Sequence, residues 1–297
     1  MRVLVTGREG QVARSLVERG TAGGHDVIAL GRPDLDLAGE PEAIIASIKA
    51  GDPEVIVSAG AYTAVDAAER EQELAFAINE RGAGAVARAA SMLAVPLIHL
   101  STDYVFDGKK PSPYGEADPV NPIGVYGASK LAGERAAIAA HQDIVILRTA
   151  WIYSPFSSNF VKTMLRLAGE RGEVRVVADQ LGNPTSALDI ADGILTIASN
   201  LMRSSEPSLR GVFHMCGSHQ ASWAGFAEGI METSALYGGP FATVKPIGSA
   251  DYPTTAKRPA NSRLDCRKLE QIHGVRLPRW TESLKAVVRR LVEGAER

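Results

Sequence analysis

A strand that runs straight into a glycine turn and then into a helix restricts a fold severely, and this chain begins with one. Met1-Arg2-Val3-Leu4-Val5-Thr6 is a short β-branched run, Gly7-Arg8-Glu9-Gly10 follows at once, and Gln11 to Arg19 continue with amphipathic helical spacing. Dinucleotide fingerprints place their parts in this order. Gly7 permits a tight turn, Gly10 lets the backbone approach a pyrophosphate, and Ala13 is small enough for the helix to pack on the strand. The helix start at Gln11 and Val12 offers free N–H groups and a positive dipole end to phosphates. The spacing is Gly-x-x-Gly-x-x-Ala, which taken alone also fits an ordinary glycine turn.

The next 130 or so residues alternate β-branched runs with helical stretches. Strands are expected at Val3–Thr6, Val27–Leu30, Val55–Ser58, Leu97–Ser101 and Ile144–Arg148, and helices at Gln11–Arg19, Pro41–Ala50, Glu73–Leu93 and Val125–Ala140. Such alternation predicts an α/β fold, a doubly wound parallel sheet with helices on both faces. Ligands of these sheets bind beyond the C-terminal strand ends. Gly7, Ala59-Gly60-Ala61, Thr102 and Trp151 all fall at that edge.

A second feature acquires meaning in this setting. Tyr126 and Lys130 stand four apart on an expected helix, so they share one face. A phenol is too weak an acid for easy proton exchange at neutral pH, and a neighbouring ammonium is expected to lower its pKa. Thr102, at the end of the strand Leu97–Ser101, could hold a substrate oxygen beside them. Tyr-x-x-x-Lys alone is weak evidence, and its weight comes from the turn upstream.

Together, Gly7-x-x-Gly10-x-x-Ala13 and Tyr126-x-x-x-Lys130 resemble the extended short-chain dehydrogenase/reductase superfamily, and within it the dTDP-4-dehydrorhamnose reductase family. The stretches that carry the resemblance run through Ala61-Tyr62-Thr63-Ala64-Val65-Asp66, Ser101 to Phe106, Lys130 to Glu134 and Arg148 to Tyr153. They continue through Asp179 to Thr185 and Arg258 to Leu264, almost to the C-terminus. The resemblance implies a Rossmann-type dinucleotide-binding domain over residues 1–150 and a smaller, mainly substrate-binding α/β domain over 151–297, with the chain crossing back between them. It also implies reduction of the C4 keto group of dTDP-4-dehydro-L-rhamnose by NADPH or NADH.

Tyr126 is then the expected proton donor, Lys130 its electrostatic partner and a ligand of the nicotinamide ribose, and Thr102 the group that orients the carbonyl. Asp103 is expected to bind a sugar hydroxyl or support the site electrostatically; a turn carboxylate is the competing reading. Tyr104 and Trp151 are candidates to wall the sugar pocket. Asn159, Arg258 and Ser262 are placed near the sugar or nucleotide by resemblance alone, an arginine suiting a diphosphate. Gly7, Gly10, Gln11, Val12, Ala59, Gly60, Ala61 and Thr63, with Tyr126 and Lys130, form the expected cofactor set. His99 lies within an apolar strand and reads as a core histidine.

Cofactor preference is expected to lean to NADPH. The strand Val27-Ile28-Ala29-Leu30 ends in Gly31-Arg32, where NAD-selective folds carry an acidic side chain for the ribose hydroxyls. Arg32 could grip a 2′-phosphate through its planar fork. Asp34 and Asp36 follow closely, and either could still reach the ribose.

After Trp151 the expected elements are helices at Asn159–Ala168, Leu188–Met202, Trp223–Leu236, Asp265–Gln271 and Thr281–Glu293, and strands at Val174–Val177 and Val212–Met215. Pro240 to Pro259 is expected to be mostly irregular. Thirty-two Lys and Arg against 34 Asp and Glu leave a net charge of −2, with no electrostatic footprint for nucleic acid. No apolar run suggests a membrane span and no signal pattern precedes the first strand, so a cytoplasmic enzyme is the expectation.

Cys216 and Cys266 lack metal spacing and read as inert thiols. Some members of the family hold magnesium through acidic side chains at a dimer contact. Arg14 and Ser15 stand on the first helix here with no cluster of carboxylates, so no metal is expected, and a homodimer stays open. Two other readings stay open as well. One is a superfamily epimerase or dehydratase, which would retain its nicotinamide. The other is a binding protein like the regulatory subunit of methionine adenosyltransferase, with little or no catalysis.

Overall fold

The computed structural model describes residues 1–294. Its centre is one parallel sheet of six strands: β1 (Arg2–Thr6), β2 (Asp26–Leu30), β3 (Val55–Ser58), β4 (Leu97–Thr102), β5 (Ile144–Thr149) and a sixth, Gly211–His214. Their spatial order is Gly211–His214, β5, β4, β3, β1, β2. Every residue of β3, β4 and β5 is buried, as expected of parallel strands covered on both faces. The pleat sorts β1 between two cores. Val3 and Val5 pack toward α1 (Gln11–Ala22) and the helix Ala187–Arg203. Leu4 packs the other way, toward Ile44 and Ile48 of α2 (Pro41–Ala50) and the alanine-rich helix Ala83–Leu93.

A third core joins Phe160–Glu170, Glu173–Val177, Trp223–Leu236 and Trp280–Gly294. The strand Gly211–His214 and helix Ala187–Arg203 lie late in the chain, yet they belong to the six-stranded sheet and its cover. A cut near residue 150 would therefore part the sixth strand from the sheet it completes.

Two local expectations are corrected, and one element is new. The helix expected at Glu73–Leu93 starts at Gln72 and carries a π-turn, Ala77–Gly82, at its centre. A single turn of helix, Val65–Ala68, had no signal of its own. The stretch from Pro240 to Pro259 contains the strand Thr243–Ile247, parallel to Glu173–Val177. Pro246 obscures that strand in the sequence, and a two-stranded edge tolerates the missing donor.

Candidate active site

The strand order creates the site. After β1 the chain goes to β2 on one side and returns to β3 on the other, which opens a crevice at the C-terminal ends of β1 and β3. Two turns meet there. Gly7 has φ +93°, and a Cβ on it would lie 2.9 Å from the Gly60 Cα. The Thr6 hydroxyl accepts from the amides of Ala59 (3.1 Å) and Gly60 (3.0 Å), fixing the second turn against the first. The Gly10 amide donates to the Gly7 carbonyl (2.7 Å), and α1 begins at Gln11 with no side-chain cap on its free N–H groups. This cradle fits a pyrophosphate by its backbone alone.

The crevice encloses about 590 Å³. Of the expected cofactor set, Gly7, Gly10, Gln11, Val12, Arg32, Ala59, Gly60, Ala61, Thr63, Tyr126 and Lys130 line it. Asp36 does not; its carboxylate accepts from the Ala38 amide (3.0 Å). Asp34 pairs with Arg8, which the sequence reading passed over although it stands between the two fingerprint glycines. The Gln11 amide reaches across to the Ile152 carbonyl (3.3 Å) and accepts from Ser154 (2.8 Å), joining this edge to the chain after β5.

Helix Val125–Ala140 carries Tyr126 and Lys130 to the far wall. A Cβ at Gly127 would lie 2.1 Å from the Tyr104 carbonyl oxygen, so glycine lets the helix press against the end of β4. The π-turn holds its other side: Asn79 donates to the Ser129 hydroxyl (3.0 Å) and clasps the Tyr62 backbone through both ends of its amide. Lys130 is buried and donates to the Leu100 carbonyl (2.7 Å). Burial lowers its pKa to about 8, against the pull of Glu134 one turn away.

The expectation that Lys130 lowers the Tyr126 pKa is corrected here. The ammonium is bonded to Leu100, and enclosure by protein pushes the phenol well above its ordinary value; Thr102 opposes that push, and Asp103 and Tyr104 add to it. Tyr126 is thereby held protonated.

Beneath this wall lies a buried ion pair absent from the expectations. Arg148 on β5 binds both oxygens of Glu134 (2.9 and 2.7 Å), and the Ser101 hydroxyl also donates to Glu134. Nothing in the sequence pairs a strand arginine with a helix glutamate fourteen positions earlier.

Of the residues expected to meet the substrate, Thr102, Asp103, Tyr104, Trp151, Asn159, Arg258 and Ser262, none lines the crevice; several gather beside Tyr126, drawn from distant segments. Thr102 donates to the Asp103 carboxylate (2.9 Å) and accepts from the Tyr104 amide (3.2 Å), closing a 3₁₀ turn over Asp103–Val105. Asp103 is 2% exposed, and one carboxylate oxygen accepts no hydrogen bond. Burial raises its pKa to about 6, while the nearby Ser262 and Thr102 hydroxyls pull the other way. The Tyr104 ring meets Tyr126 edge-on at 5.4 Å. Arg258 donates to the Tyr104 hydroxyl (3.0 Å) and pairs with Asp66 (2.6 Å).

Trp151 stacks on Trp223, with centroids 3.6 Å apart, and covers Gly182. Asn159 caps helix Phe160–Glu170 and donates to the carbonyls of Ser154 and Phe156. Its amide is engaged at both ends by backbone. His99 is buried against Ser58. Among the described residues no cluster of three or more His, Cys, Asp or Glu suits a metal ion, and the first turn of α1 has no acidic side chain.

Comparison with known proteins agrees with this architecture. The family model described as the RmlD substrate binding domain matches residues 1–293. A dTDP-4-dehydrorhamnose reductase of Sinorhizobium fredii is 51% identical over 288 residues, covering 97% of both chains. One from Escherichia coli is 38% identical over 98% of both. Among solved structures, a dTDP-4-dehydrorhamnose reductase from Bacillus anthracis in complex with NADP superposes with a TM-score of 0.88 at 35% identity, over 96% of this chain and 98% of that one. A dTDP-glucose 4,6-dehydratase from Streptomyces venezuelae shares the fold at 20% identity, with a TM-score of 0.78. The chain belongs to the RmlD family, among relatives that are dTDP-4-dehydrorhamnose reductases.

Proposed function

We propose that this protein reduces the C4 keto group of dTDP-4-dehydro-L-rhamnose to give dTDP-L-rhamnose, using NADPH or NADH. The observation that carries the reading is that Tyr126 and Lys130, from one helix, line the same crevice as the glycine cradle of β1. Likeness over nearly the whole chain to reductases of that substrate supports it over an epimerase, a dehydratase or a non-catalytic binding protein.

The bound nicotinamide supplies the hydride. The rest falls to side chains of this chain. Tyr126 directs its hydroxyl at the keto oxygen, and Thr102, whose proton rests on Asp103, turns it to the same oxygen when substrate enters. Tyr126, kept protonated by its surroundings, gives up its proton only when hydride arrival makes that oxygen more basic than a phenolate. Lys130 braces the wall through Leu100 and holds the ribose. Asp103, with its unpaired oxygen, takes a sugar hydroxyl in company with Ser262. Arg258 faces the diphosphate, and Tyr104 and Trp151 wall the sugar.

On the adenosine side, Arg32 lines the crevice without an ion pair among the described residues, while Asp34 is held by Arg8 and Asp36 by a local turn. These placements favour NADPH. No helix of the described residues is long and apolar enough to cross a membrane. Cytoplasmic location and a homodimer belong to the same reading, the dimer being tested by mass in solution.

The deciding measurement is loss of reduced-nicotinamide absorbance with dTDP-4-dehydro-L-rhamnose as substrate. Turnover is expected. No turnover with this sugar alongside turnover of another nucleotide sugar would move the assignment, and cofactor purifying in stoichiometric amount would favour an epimerase or dehydratase.

A further inference from the structure

Cys216 and Cys266 are far apart in sequence, and the fold brings them to one apolar cluster. Cys216 is buried just after the strand Gly211–His214. Cys266 is half-buried at the N-cap of helix Arg267–His273. Both sit in one apolar cluster with Leu264, Ala150 and Tyr114. Burial, with the Cys266 thiol adding to it, holds the proton on Cys216. Both line a second crevice, of about 1070 Å³, which shares no lining residue with the Gly7–Gly60 crevice. A solvent-facing thiol backed by an enclosed one is the arrangement of an attacking and a resolving cysteine.

We propose that Cys216 and Cys266 are a redox-active pair that closes to an intramolecular disulfide by exchange with a small-molecule disulfide such as glutathione disulfide. Cys266, the more accessible, attacks first as thiolate. The glutathione S–S bond breaks, one glutathione leaves and takes up a proton, and a mixed disulfide remains on Cys266. Cys216 then loses its proton to solvent and its sulfur attacks Sγ of Cys266, releasing the second glutathione. Two protein thiols are oxidised to one disulfide, and one glutathione disulfide is reduced to two thiols. The second step is the slower and quickens as pH rises, because Cys216 resists ionisation. The new bond ties the end of the sixth strand to the segment that carries Ser262 beside Asp103.

The test treats the full-length protein with glutathione disulfide at mildly alkaline pH, alkylates remaining thiols and weighs the product. The expected result is a mass lower by two hydrogens with neither cysteine alkylated, restored by dithiothreitol. It should come with a rise in Tm of about 5–10 °C, from closing a loop of this length. Cys266→Ser should show neither change, and Cys216→Ser should stop at a glutathione adduct on Cys266. Should Cys216→Ser fail to fold, the wild-type mass and Cys266→Ser decide by themselves. A wild-type protein that keeps two free thiols, or that halts at a single glutathione adduct, overturns the proposal.

Discussion

The two walls of the site are built on different principles. The cofactor edge is made of backbone: a left-handed Gly7, a Gly60 turn pressed against it, and the open start of α1, all near strand ends. The edge proposed for the sugar is made of side chains drawn from distant segments: Arg258 reaches Tyr104 and Asp66, and Ser262 reaches Asp103, only because the chain returns. Backbone cradles recognise what all dinucleotides share, whereas a side-chain wall can be changed residue by residue to choose a sugar. Damage to one wall should therefore register against one ligand, except at the helix where the walls join.

The largest effect is expected at that junction. Tyr126→Phe removes the proton donor and little volume, so kcat should fall by roughly 10² to 10⁴, the usual contribution of a positioned acid. KM for both ligands should change far less. An unchanged kcat would remove Tyr126 from the chemistry and leave the comparison without its meeting point.

Asp103 comes next and bears on stability. Its carboxyl has a pKa of about 6 when folded, against about 3.9 in an unfolded chain. Between those values the folded state binds the proton more tightly, so stability falls as pH rises through the window, and the penalty is complete above about pH 6. Asp103→Asn should therefore stabilise the protein by roughly 3 kcal/mol at neutral pH and by only about 0.5 kcal/mol near pH 4. Denaturant melts at both values check this, and an equal difference at both would show that burial of the charge is not the cause. The cradle carries no comparable cost, being made of uncharged backbone.

The same contrast explains what the sequence disclosed. The sheet was legible because β3, β4 and β5 are unbroken apolar runs and because a glycine turn follows β1. All but one of the expected crevice residues line it, since backbone cradles are local in sequence. Asp36 failed because proximity along the chain does not say which way a turn points its carboxylate. The capping task of Asn159 was not legible, because a cap and a ligand contact use the same residue type. The Lys130 effect on Tyr126 failed for a subtler reason: helical spacing puts two residues on one face, but the Leu100 carbonyl takes the ammonium. Asn79 in its π-turn, the Glu134–Arg148 pair and the meeting of Cys216 with Cys266 are contacts across long separations, which no periodicity encodes.

Arg258 tests the sugar wall directly. It joins Tyr104 to Asp66, and the Asp66 pair is partly exposed, so its loss should cost the fold under about 1 kcal/mol. If the guanidinium faces the diphosphate, Arg258→Ala removes hydrogen bonds to charge worth about 1.5–3 kcal/mol. The expected result is a fall of roughly ten- to a hundredfold in kcat/KM for the nucleotide sugar, with KM for NADPH unchanged. A loss shared equally between sugar and cofactor would mean that the walls are not separable.

Arg32 is the matching test of the cofactor wall and the smallest effect. It is exposed, lines the crevice just beyond Gly31, and makes no ion pair among the described residues. Asp34 pairs with Arg8, Asp36 accepts from the Ala38 amide, and neither lines the crevice, so neither stands where NAD selectivity needs an acceptor for the ribose. A guanidinium free at this place meets a 2′-phosphate or nothing. Arg32→Ala should cost NADPH at least about 1.5 kcal/mol in kcat/KM, roughly tenfold, and leave NADH and the sugar nearly unchanged. Exposure to solvent and salt holds the loss at this low end, and raising ionic strength should shrink it further. Equal losses for both cofactors, or none for either, would show that Arg32 does not read the phosphate; Arg8, within the same turn, would then be the next substitution to make.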